Sequence, residues 1–394
     1  MQGVTFKTNK SEAMINKLTF VMIMLVSILP FFLKWFGIQE RFSSVTCSII
    51  TIMLLLICYI INFNNISTNN RVLILFINII SLLFSVGLHG NFGVATVHIN
   101  MLLMLFLFNN ITFYKKQVLC IHALQAILIF MWLQTLNTEL MWKSFVFEPS
   151  GLYVNPCTVA IMTLSCFYHF LTVIHIIIPK HTFPKLVVCV VSLAITISTF
   201  RFITETVCRA SLLAFFLFTV LFIFKKRVAK KYRFYIKCAV LFTMLVPIIY
   251  ICLSFVVENF EFLGKNFFTQ RDNVWKSVYG MIISNPLFGV GSENDIYLMG
   301  KLMDDAHNLF LGIWKNIGLI PMISMTVVFC QGKNIKNVSQ ENQLSKIAFL
   351  SAFLISTVET LLNGSEYYIF YFTFLLTVQE TSMKTTNVEI RYDT

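Results

Sequence analysis

Residues 257–308 read VENFEFLGKNFFTQRDNVWKSVYGMIISNPLFGVGSENDIYLMGKLMDDAHN. This is the one long polar excursion in a chain that is otherwise strongly apolar. Connections of this length inside a compact protein are usually functional. The stretch carries Arg271, the run Asn285-Pro286-Leu287-Phe288-Gly289-Val290-Gly291, and Ala306-His307-Asn308 at the edge of the next apolar run. An arginine and a histidine held in one loop suggest an anionic substrate. Between them, Val274, Trp275, Val278 and Ile282 fall on one helical face. That spacing predicts a short amphipathic helix, lying along a membrane surface or capping a bundle.

The sequence on either side of this loop decides the fold class. Hydrophobic residues make up 57% of the chain and charged residues only 12%, with a mean hydropathy of +0.77. Such a composition excludes an ordinary soluble domain. The apolar runs are continuous and mostly roughly 15 to 23 residues long, the length of helices that cross a bilayer. A transmembrane barrel would show short alternating segments instead. The expected fold is an all-α polytopic membrane protein, a single bundle over residues 1–394, with 257–308 as its one long loop. The runs predict about twelve spans, at 18–33, 44–62, 72–87, 93–108, 117–135, 154–178, 184–200, 209–224, 234–256, 309–330, 347–362 and 367–379. Lys7, Lys10 and Lys17 precede the first run, which lacks a small-residue cleavage site and reads as a retained span.

Positive charge orients the bundle. With a cytoplasmic N-terminus, alternate connections collect 20 of the 30 Lys and Arg and five of the 18 acids, a net +15; the remainder nets −3. The cluster Lys225, Lys226, Arg227, Lys230, Lys231 and Arg233 is the strongest anchor. The long loop then lies outside, on the periplasmic or extracellular face, together with Arg201 and Arg209. Because the basic excess sits on short inner connections, anionic headgroups explain it, and nucleic acid is excluded as a partner. The ten cysteines contain no CxxC pair and no zinc spacing, so neither a disulfide framework nor a metal site is expected.

Several residues are candidates for chemistry. Arg209 opens the eighth span in Cys208-Arg209-Ala210-Ser211, and an arginine at a membrane edge either snorkels to headgroups or binds an anion. The guanidinium fork suits a diphosphate; Arg201 reads as an interfacial anchor. Arg271 is either a second cation on a leaving diphosphate or a partner for Asp272. His307 is either an interfacial polar residue or a base that accepts a proton from an acceptor hydroxyl. The run 285–291 reads as turn chemistry that redirects the chain, more than as a phosphate cradle. Asp304 and Asp305 are adjacent carboxylates that read as solvated rather than as a cation site. The remaining histidines, His89, His98, His122, His169, His175 and His181, lack ligand spacing and read as structural.

These residues resemble a family. Arg271 with Trp275, then 285–291, then His307-Asn308 and Gly318-Leu319 look like the loop signature of the O-antigen ligase and polymerase superfamily. Cys208-Arg209-Ala210-Ser211 resembles its upstream arginine motif, and the likeness covers residues 205–320. Within it, 286–297 and the region of Trp314 are most similar to the lipopolysaccharide O-antigen ligases. The family often has Ser or Thr before the first arginine and Gly before the second, where this chain has Cys208 and Gln270.

The resemblance implies a GT-C-like glycosyltransferase of the bacterial inner membrane, multi-pass, with no cofactor, no nucleotide and no required metal. Its catalytic residues would be Arg209, Arg271 and His307. Arg209, Arg271, Trp275 and Asn308 would bind substrate. The implied donor is an undecaprenyl-diphosphate-linked glycan and the implied acceptor is lipid A-core. A repeat-unit polymerase shares most of the signature. A polysaccharide transporter is the alternative from another class, but transporters concentrate charge near the midplane, and here polarity concentrates in one loop.

Overall fold

The computed structural model describes residues 10–358 apart from 36–39, 63–68, 109–114, 140–143, 148–151, 178–181, 258–260, 263–264, 267–269, 292–295, 299–300, 304–305, 331–339 and the single residues 91, 155 and 207. The expected span 367–379 and the pair Asp304-Asp305 lie outside the described residues.

Each of the first nine expected spans contains a helix. They are α1 (Lys10–Trp35), α2 (Glu40–Ile61), α3 (Asn69–His89), α4 (Phe92–Phe108), α5 (Lys115–Gln134), α6 (Pro156–Ile177), α7 (Thr182–Glu205) and α8 (Arg209–Ile223), then, after the short basic α9 (Lys225–Lys230), α10 (Tyr232–Ser254). Beyond α10 come α11 (Arg271–Ser284), α12 (Leu309–Ile317), α13 (Leu319–Cys330) and α14 (Gln340–Phe353), followed by a 3₁₀ turn at Leu354–Thr357. Two segments, Lys116–Gln134 and Tyr232–Ser254, are long and apolar enough to cross a membrane. Further apolar helical stretches of 10–17 residues occur along α1 to α4, α6, α8 and α13.

The outward faces are apolar too. On α7, Leu186, Val190, Leu193 and Ile197 are exposed at helical spacing, forming a stripe that water would not tolerate and lipid would. The chain is a helical membrane protein.

Two features depart from the expected pattern. The tenth run, 309–330, is not one span but two helices broken at Gly318, which adopts φ +99°, a region open to glycine alone among ordinary residues. The connections also contain short strands, so the fold is not purely α. Leu136–Glu139, Ser144–Phe147 and Leu152–Val154 (β1–β3) form an antiparallel sheet in the order β1-β2-β3. Aromatic and β-branched residues suit these strands. In the long loop, β4 (Glu261–Phe262) pairs with β5 (Lys265–Asn266), and β6 (Ile296–Leu298) with β7 (Lys301–Met303).

Polar side chains inside the bundle tie helices together, as expected where lipid offers no hydrogen-bond partner. Asn62 Nδ2 donates to Thr19 Oγ1 at 2.8 Å, and Asn78 Nδ2 donates to Ser324 Oγ at 2.7 Å. His98 Nε2 lies 3.2 Å from Asn78 Oδ1, and His122 Nδ1 lies 2.9 Å from His169 Nδ1. These histidines join helices. A helical interior formed by α10, α11, α12 and α13 then supports the loop residues.

Candidate functional site

Three helix N-termini carry the candidate residues. Arg209 is the first residue of α8 and Arg271 the first of α11, while His307 immediately precedes Asn308, the N-cap of α12. A helix N-terminus bears partial positive charge and unpaired N–H groups. An arginine in the first turn opposes that dipole, a placement that a bound anion would reverse into an advantage.

Local sequence explains each terminus. Cys208 sits at the N-cap of α8 in extended conformation and its side chain makes no cap bond to the backbone. Its thiol instead lies 3.2 Å from Ser211 Oγ, as donor. Gln270, the N-cap of α11, adopts φ +61°, a left-handed conformation that costs an L-residue roughly 1–2 kcal/mol and glycine almost nothing. Asp272 has a cation beside it in Lys276, whose Nζ lies 3.7 Å from Asp272 Oδ2. Arg201 is exposed on α7 and bonds Glu205 at 3.1 Å, the surface pairing of an anchor.

Helix α11 buries Val274, Trp275, Val278 and Ile282, against Val246 of α10, Ala306 and Leu311. Trp275 is fully buried. Its ring meets Tyr250 edge-on at 5.2 Å and its Nε1 donates to the Ala306 carbonyl at 2.8 Å. On the same helix, burial raises the Tyr279 phenol above its ordinary value, which keeps it neutral.

The histidine corner is held from both sides. Ala306 is fastened by Trp275. Asn308 is fully buried and its Oδ1 accepts from the Phe310 and Leu311 amides, each at 3.1 Å. Its Nδ2 donates to the Thr243 carbonyl at 2.9 Å and the Thr357 carbonyl at 3.0 Å. Two donors and two acceptor positions are the side chain's full capacity. Between these anchors, half-buried His307 takes φ +47°, a conformation His adopts more readily than most residues. Strain of this kind persists where surrounding structure imposes it.

Tyr250, one turn before the end of α10, packs its ring on Trp275, and the charges of Arg271, Arg209 and Asp272 all act on its phenol. A set of contacts thus runs from Tyr250 through Trp275 to the histidine corner.

The run 285–291 does a different job. Leu319 N donates to the Pro286 carbonyl at 3.1 Å, and Val290 N donates to the Lys315 carbonyl at 2.7 Å. Trp314 Nε1 also donates to the Pro286 carbonyl, at 2.9 Å. A Cβ on Gly289 would lie 2.6 Å from the Lys315 oxygen, and one on Gly318 would collide with the Leu287 carbonyl. The turn is a clamp over the break between α12 and α13.

Residues 190–325 match the family model described as O-Antigen ligase. For this segment the match supports the O-antigen ligase and polymerase superfamily. No curated protein matches the chain. The matched segment of this superfamily runs from α7 into α13, and so includes both arginines, Tyr250, the clamp and the histidine corner.

The sequence reading missed two residues here. Tyr250 was hidden inside an apolar run, although a tyrosine near the loop end of a span was a signal. Lys315 is buried in the last turn of α12, where a cation complements the helix dipole. Among the described residues, no group of three or more His, Cys, Asp or Glu side chains is arranged to hold a metal ion.

Proposed function

We propose that the chain is an O-antigen ligase, transferring a glycan from undecaprenyl diphosphate to lipid A-core at the periplasmic face of the bacterial inner membrane. The bundle is multi-pass, with about twelve spans and a GT-C-like arrangement. The observation that carries this reading is the fastening of α11, which opens at Arg271, to the histidine corner through the Trp275 bond to the Ala306 carbonyl, within the segment that matches the family and also holds Arg209.

The residues divide the work as follows. Arg209 and Arg271, each at a positive helix end, hold the diphosphate and stabilise the charge it gains as the glycosidic bond breaks. His307 accepts the proton of the acceptor hydroxyl as its oxygen bonds to the anomeric carbon. The bond to the diphosphate oxygen breaks with its electron pair, so one displacement inverts that carbon. Trp275 and Asn308 serve as positioning residues in this reading, since their polar atoms are engaged in holding the corner. Neither a nucleotide nor a metal is assigned a part.

A repeat-unit polymerase, which moves the growing glycan onto another lipid-linked unit, is supported by the same family match. Deletion in a smooth strain distinguishes the two. Loss of a ligase leaves rough lipopolysaccharide and accumulated lipid-linked polymer. Loss of a polymerase leaves core bearing a single repeat unit, and that result would overturn the ligase assignment. Purified protein in lipid, given a lipid-linked glycan and either acceptor, tests the reaction directly.

A further inference from the structure

The inward face of α11 caps the bundle through Val274, Trp275, Val278 and Ile282. Its outward face is not the charged surface that water would favour. The exposed residues of α11 are Lys276, Gly280, Ile283 and Ser284, which share one helical side and include no carboxylate. Ile283 is 77% exposed, and Leu287, in the turn that follows, is exposed too.

Both ends of this face run into surfaces that already suit lipid. On α10, Leu241, Leu245, Ile248, Cys252 and Phe255 are exposed at helical spacing, a seam along a segment long and apolar enough to cross a membrane. The seam ends at Phe255, itself 75% exposed, and Lys276 Nζ of α11 lies 4.4 Å from the centre of its ring. Lys276 also reaches back to Asp272, so its stem covers apolar surface while its charge turns toward the start of the helix, the habit of a lysine at a membrane boundary. At the other end, α3 exposes Leu73, Ile77, Ile80 and Phe84, again at helical spacing. The Phe84 ring lies 5.5 Å from that of Phe288, the neighbour of Leu287. A single exposed isoleucine needs no explanation, but a continuous apolar surface does.

We infer that α11 is seated in the membrane: its outward face, with Ile283, Leu287 and the adjoining Phe255, packs on phospholipid acyl chains of the leaflet on the long-loop side, while its inward face caps the bundle. The occupant is bilayer lipid because this face joins the lipid-facing seams of α10 and α3. The two sequence alternatives for this helix, lying on a membrane and capping a bundle, then hold together. Such a seat sets Arg271, the first residue of α11, in the boundary region where phosphate groups lie.

The test places photoreactive benzoylphenylalanine at position 283 or 287 of the full chain, in phosphatidylethanolamine–phosphatidylglycerol nanodiscs, and identifies adducts by mass spectrometry. Position 245, in the α10 seam, is the reference. Phospholipid adducts at 283 and 287, at yields comparable to 245, are expected. Adducts at 245 with none at 283 and 287 would overturn the inference, and so would adducts of these positions to a second copy of the chain. Ile283→Leu and Ile283→Gln give an independent reading, since the two new residues have similar helix propensity. In nanodiscs the glutamine should lower the melting temperature, because its amide finds no partner among acyl chains, and the leucine should not. Equal melting temperatures for parent and both variants would place Ile283 in water and sink the proposal.

Discussion

The two parts of the long loop that flank α12 treat their residues in opposite ways. The turn 285–291 is the denser motif, yet it meets α12 and α13 through its own backbone, bonded to the Lys315 carbonyl, the Leu319 amide and the Trp314 indole. The corner 306–308 is only three residues long, and it presents a half-buried imidazole held in a left-handed conformation. Both neighbours of that imidazole are buried and bonded. Motif density therefore marks where chains must touch closely, while the candidate histidine sits in a short corner whose two neighbours are fastened.

The sharpest way to break this contrast is at Gly318. Gly318→Ala combines an inaccessible φ with a collision against the Leu287 carbonyl. It should cost at least about 3 kcal/mol and abolish recovery of folded protein, read by yield and monodispersity in detergent. Next come the charged residues. Arg271→Ala should lower glycan transfer about 10²- to 10³-fold with an unchanged melting temperature. His307→Asn keeps a residue type tolerant of positive φ and removes the base, so transfer should fall about 10²- to 10⁴-fold in a stable protein. A stable, active His307→Asn would end the assignment of His307 as base.

Asn308→Ala sharpens the comparison from the other side. It deletes an N-cap and leaves the Thr243 and Thr357 carbonyls without their donor, so stability should drop by about 2–4 kcal/mol. Transfer should decline with it, whereas His307→Asn should separate the two effects. The smallest change is Gln270→Gly, which relieves a left-handed glutamine and should raise stability by about 1 kcal/mol with activity retained. A destabilised Gln270→Gly would mean that the glutamine side chain contributes more than its backbone costs.

Much of this was legible in the residues. Run length located the helices, because a bilayer demands about twenty apolar residues and few other constraints produce them. The 3.6-residue period picked out Val274, Trp275, Val278 and Ile282, the same four that α11 buries. What escaped depends on contacts distant in sequence. Gly318 in an apolar run looks like tolerated punctuation until the turn at 285–291 is seen lying on it. The fastening role of Asn308 is invisible until its partners 65 and 49 residues away are known. Tyr250 has no local pattern at all, since its packing partner is Trp275 on another helix. The strands between α5 and α6 also escaped, because short hairpin segments resemble ordinary connections.

The bond from Asn308 to the Thr357 carbonyl reaches beyond the segment that matches the family, which stops at residue 325. A version of the chain truncated before Thr357 would retain every signature residue, yet lose one of the fastenings that set the imidazole's angle. Minimal fragments chosen by motif alone should therefore be less stable at this corner, because the turn at Leu354–Thr357 is part of what holds Asn308 in place.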